Sequence, residues 1–135
     1  MASPTLPSPG AHVPMEVPLL TAVAFPIAPG KTAEWRSFIA ELNGPRRAEF
    51  VESRRRAGIH ERTFFQSTPM GDLVIVTVEG DAPMQAFAQM TSATDPFSAW
   101  FLETAKRVHG VDLAAPMTAP PSELVADSEP VAGLA

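Results

Sequence analysis

The sequence predicts an α+β domain in two layers, an antiparallel sheet with helices packed on one of its faces. Three observations carry that expectation. Segments with strand and helix periodicity follow one another in the order β-α-α-β-β-α-α. Residues 59–67 alternate, with Ile59, Glu61, Thr63 and Phe65 on one side and His60, Arg62, Phe64 and Gln66 on the other. Residues 73–79 are apolar on both sides, as a central strand is.

The elements follow in order. Leu19–Ile27 (LLTAVAFPI) is a short apolar strand with Pro26 at its end or on an edge, and Pro29-Gly30 turns the chain. Trp35, Phe38, Ile39 and Leu42 then recur at i, i+3, i+4 and i+7, one face of a helix. Asn43-Gly44-Pro45 interrupts it, and a second helical piece runs from about Arg46 to Ala57, ended by Gly58. The alternating strand comes next, and Thr68-Pro69-Met70-Gly71 fits a type I turn into the central strand. Asp81 is placed to cap a helix with Pro83 in its first turn. Thr94-Asp95-Pro96 starts a last helix carrying Phe97, Trp100, Phe101 and Val108, with Lys106 and Arg107 in its last turn and Gly110 as its stop. A closing strand over Glu123–Asp127 is also expected. This plan is ferredoxin-like: helices cover one sheet face and leave the other open.

Composition bounds the domain. The chain has 135 residues, enough for one domain, and its 45% hydrophobic content suits a packed core. Nine of the 15 prolines fall in the two ends, which predicts a disordered Pro-rich tail over 1–17, a domain over 18–128 and a C-terminal tail over 129–135. About a hundred residues bury only part of their surface, so a second copy would add core. Residues 1–71 hold eight basic and six acidic groups (+2), and residues 72–135 hold two basic and nine acidic (−7). That asymmetry favours self-association over a polyanion. Absence of cysteine excludes disulfides and thiolate metal sites. No apolar run approaches the ~20 residues that span a bilayer, and the first fifteen residues lack Lys and Arg, unlike a secretory signal. The expectation is a cytoplasmic protein with no membrane partner.

Several segments resemble a bacterial family without an assigned activity in the dimeric α/β-barrel superfamily. They are Pro29-Gly30-Lys31, Gly44-Pro45-Arg46-Arg47-Ala48-Glu49, Glu52-Ser53-Arg54-Arg55-Arg56, Thr68-Pro69-Met70-Gly71-Asp72, Asp95-Pro96-Phe97 with Trp100-Phe101, and Gly110-Val111-Asp112-Leu113. The resemblance covers about residues 18–128. It implies that two ferredoxin-like subunits pack their open sheet faces together around a small ligand. Members of the superfamily include cofactor-free monooxygenases of antibiotic biosynthesis, haem-degrading enzymes and dismutases of chlorine oxyanions. None of their catalytic sets matches this chain residue by residue.

Candidate chemistry gathers on the strand face His60, Arg62, Phe64, Gln66. Facing a dimer interior, His60 would serve as acid or base and Arg62 would hold a carboxylate or enolate oxygen, the catalytic pair. Phe64, Gln66, Thr77 and Trp100 would shape the ligand pocket. The alternative is a polar edge strand with Arg62 paired to an acid, and Glu61 on the helix side fits the chosen faces badly. The arginines of residues 46–56 interleave with Glu49 and Glu52 at i,i+3 and i,i+4, which favours a solvated or interface-pairing helix over a nucleic-acid site. Arg47 or Arg54 could meet the acidic half of a neighbouring subunit. Trp35 and Trp100 lie on apolar helical faces, for which core packing is the better account. His109 suits a helix C-terminus as an imidazolium, and His12 is incidental. Three scattered histidines support neither a metal site nor any cofactor. The resulting expectation is a homodimeric small-molecule binder, either a cofactor-independent monooxygenase or isomerase, or a non-catalytic ligand-binding or dimerisation module.

Overall fold

The computed structural model describes residues 19–115 and 122–129. Seven elements follow in the expected order: β1 (Leu19–Pro26), α1 (Thr32–Asn43), α2 (Arg47–Ala57), β2 (Ile59–Thr68), β3 (Gly71–Gly80), α3 (Pro83–Ser92) and α4 (Pro96–His109). The three strands form one antiparallel sheet in the order β1-β3-β2. β3 is therefore central, and its valines Val74 and Val78 are almost wholly buried. This α+β arrangement is compatible with the ferredoxin-like plan.

Local chemistry explains the punctuation. Gly58 and Gly110 take left-handed backbone (φ 74° and 70°) and so end α2 and α4 where a side chain would be strained. Asp95 caps α4, accepting from the Ser98 backbone N–H at 3.2 Å and from the Ser98 hydroxyl at 2.7 Å. Asp81 does not cap α3. Ala82 occupies that position without a side-chain hydrogen bond, and Pro83 in the first turn removes one N–H that needed a partner. The β2–β3 hairpin turns on Pro69-Met70, with Thr68 Oγ1 donating to the Gly71 carbonyl at 2.7 Å and accepting from the Met70 N–H at 3.1 Å.

The core lies between the sheet and the helices. Trp35 stacks on Phe65 with ring centroids 5.3 Å apart, and Phe38 meets Trp100 and Phe101, each at 5.2 Å. Glu61 also points into this layer, where Arg54 Nε donates to its Oε1 at 2.6 Å. The two side chains are 10% and 6% exposed. Arg54 is thus engaged within its own chain and is not free for the acidic half of a neighbouring subunit. That internal pair also accounts for an acid on the helix side of β2.

Two further expectations are corrected. His109 is 9% exposed, and its Nδ1 lies 2.9 Å from the Pro26 carbonyl oxygen. Burial pushes its pKa below the ordinary imidazole value against the opposing effect of that carbonyl, so it ties α4 to the end of β1 as a neutral ring, not as a cation on the helix dipole. Residues 122–129 are irregular and exposed, and no strand forms over Glu123–Asp127. The segment touches the edge strand β1 through the Ser122 hydroxyl, which donates to the Ala22 carbonyl. The expected tail over 1–17, with His12, lies outside the described residues, as does most of 129–135.

Candidate functional site

Pairing register fixes which side chains share the uncovered sheet face. His60 stands opposite Glu79, Arg62 opposite Thr77, Phe64 opposite Ile75, and Gln66 opposite Leu73. On the other flank β1 sets Leu20 opposite Glu79, Ala22 opposite Thr77 and Ala24 opposite Ile75. Alternation sends Glu61, Thr63, Phe65 and the β3 valines toward the helices, and so delivers this set to the opposite side. The face is apolar in the middle and polar toward one end. Leu20 and Phe64 are 54% and 52% exposed there.

Arg62 and Glu79 form the polar end. Arg62 Nη1 donates to Glu79 Oε1 at 3.2 Å. With β2 at the edge of the sheet and Arg62 holding an acid, this is the alternative of a polar edge strand; the pair stays accessible, at 46% and 36% exposure. Beside it an open groove of about 510 Å³ is lined by His60, Glu79, Arg55, Asp81 and the Gly58–Ile59 and Gly80 backbone. His60 is exposed and makes no hydrogen bond among the described residues, so nothing there orients its ring. Thr77 Oγ1 is the one buried side-chain polar atom among the described residues that lacks a partner.

Five of the six sequence-chosen residues therefore share one face, and Trp100 does not. It lies in the helix layer with Phe38 and Phe97 at 5.2 and 5.8 Å, and the Arg46 guanidinium sits 4.2 Å above its ring. Helical period showed that Trp100 faced the interior but could not say which surface it would meet. Glu79 is the residue that sequence reasoning passed over. Its position in the alternation of β3 already put it on the open face, and only the register brings it diagonally to Arg62.

Other hollows compete less well. A cavity of about 60 Å³ between sheet and helices is lined by Arg54, Glu61, His109 and core apolar residues. Its charges already satisfy each other, and its size suits only water. A groove of about 520 Å³ runs between α2 and the start of α4, where Glu52 is committed to Arg55 and Arg56 and Asp95 to Ser98. The carboxyls of Glu52 and Asp95 are held below their ordinary values by these hydrogen bonds. With Arg46 bonded to Glu41 and Glu49, most of the arginines near α2 are paired with acids. No group of three or more metal-capable side chains occurs among the described residues. No helix there is long and apolar enough to cross a membrane.

Comparison with known protein families, characterised proteins and solved structures gives no match.

Proposed function

We propose that this chain is a small-molecule-binding protein that works as a homodimer, two ferredoxin-like protomers packing their open sheet faces into a dimeric α/β barrel, as the sequence resemblance implies. The carrying observation is the half-exposed pair Leu20 and Phe64 on the sheet face that none of the described helices covers, beside an accessible ion pair. Covering a half-exposed Phe or Leu contributes about 1 kcal/mol, and a two-fold interface counts each such gain twice. The enclosed space would have an apolar middle and a polar end, the usual make-up of a ligand pocket. Neutralised arginines on α2 and an acidic second half argue against a nucleic-acid partner, and a cytoplasmic setting suits the cysteine-free composition.

Binding is favoured over catalysis because, among the described residues, His60 has no hydrogen-bonded partner to fix its tautomer, which a general base needs. A second reading keeps His60 as the acid–base group in oxygenation or isomerisation of an enolisable metabolite, since it lies two residues from Arg62 on the same face. Sedimentation equilibrium at micromolar concentration tests the dimer. The wild type should sediment as a dimer and Phe64→Glu as a folded protomer. A lone, well-folded wild-type protomer would remove the chamber and both readings with it.

A further inference from the structure

Arg62 spends only one of its three nitrogens on Glu79. Its Nη1 makes that contact, while the parallel Nε–H and Nη2–H edge has no hydrogen-bond partner among the described residues. That edge is the fork that matches the two oxygens of a carboxylate. Glu79 takes Nη1 on the other side of the guanidinium and leaves that fork free. Next to it in register stands Thr77, whose hydroxyl is buried without an acceptor. One step along the face lie Phe64 and Ile75, an apolar floor.

From the free edge of Arg62 and this floor we infer that the ligand is a small organic carboxylate with an apolar body. Its two oxygens take the Nε–Nη2 edge of Arg62, and its hydrocarbon part lies on Phe64 and Ile75. The inference rests on the proposed chamber and names its substrate class. An inorganic anion would use the fork but waste the floor, and a neutral apolar molecule would leave the fork unmet. Glu79 has two opposed effects on such a ligand: it aims Arg62, and its own charge repels a second carboxylate.

That opposition gives a sharp test with phenylacetate as probe and phenylacetamide as its neutral twin, titrated calorimetrically into the full chain. Phenylacetate should bind saturably and phenylacetamide roughly tenfold or more weakly, the loss of a charge-assisted pair. Arg62→Gln should weaken phenylacetate to the level of the amide. Glu79→Gln keeps an acceptor for Nη1 while removing the repelling charge, and should tighten it several-fold. Equal binding of acid and amide, or weaker binding by Glu79→Gln, overturns the inference. Sedimentation of the same samples separates the two levels: a dimer indifferent to the carboxylate sinks only the substrate class, and a protomer sinks the chamber as well.

Discussion

Breaking the Arg54–Glu61 pair should be among the most damaging single changes in this protein. The guanidinium donates to Glu61 at 2.6 Å and to Ser53 Oγ at 2.9 Å, and it lies 5.0 Å from the Phe50 ring centre and 4.7 Å from that of Phe101. With the acid only 6% exposed, Glu61→Leu leaves a cation boxed in by aromatic rings and little water. Removing one partner of such a pair costs about 3–5 kcal/mol. For a domain of about a hundred residues that corresponds to a fall of about 15–30 °C in Tm. Arg54→Met leaves the carboxylate stranded and should cost a similar amount. The double variant Arg54→Met/Glu61→Leu strands no charge and fills the same space, so it should return to within about 1–2 kcal/mol of the wild type. Urea denaturation of all four proteins closes the cycle. Single-variant losses below about 1 kcal/mol, or a double variant as damaged as the sum of the singles, would refute the idea that mutual neutralisation is what makes this acid tolerable under the helices.

Three further outcomes follow from the same packing. His109 binds a proton more weakly when folded than when unfolded, so the unfolded chain takes up the proton first as pH falls. Stability should be level above about pH 7 and decline as pH drops below about 6.5, in thermal melts that His109→Gln makes flat over that window. Asp95 is held below its ordinary value by Ser98, so its contribution is lost only at lower pH, as the solution passes down through the carboxylate range; Asp95→Ala should cost about 1 kcal/mol at neutral pH by urea denaturation, and Asp95→Asn less. Gly80→Ala should cost about 1–3 kcal/mol in the same assay, because a Cβ there would stand 2.5 Å from the Gly58 carbonyl oxygen and two backbones would have to part.

How far the sequence reaches is clear from particular residues. Period-2 alternation assigned both faces of β2 correctly, and two-sided hydrophobicity placed β3 at the centre, because both signals are set by which side meets the core. Glu61 looked misplaced only while it was considered alone. Arg54 sits one helical turn beyond Phe50 on the same stripe of α2, and the left-handed Gly58 folds that stripe back over β2. A buried acid predicts a cation nearby, so the signal existed. Trp100 and Glu123–Asp127 failed for another reason. A helical face does not name the layer it meets, and a short apolar stretch does not become a strand without a ladder of backbone partners. Glu79 needed the register, which no single strand contains.

In the proposed dimer the open face would tie ligand and partner together energetically. In water an exposed pair such as Arg62–Glu79 contributes about 0–1 kcal/mol, and an exposed arginine fork holds a carboxylate no better. Covering the face with a second copy removes water from the fork and lets Phe64 and Ile75 contact the ligand's body on one side while the partner closes the other. The carboxylate should then bind the dimer far better than the protomer, and linkage makes the relation reciprocal: with one site per protomer, saturating phenylacetate must tighten dimerisation by a factor equal to the square of that per-site preference. Sedimentation equilibrium across a concentration series, with and without saturating phenylacetate, reads that factor directly. A dimer dissociation constant that does not move while phenylacetate is demonstrably bound would mean that the ligand sits on an uncovered surface. In that case the second copy contributes nothing to recognition.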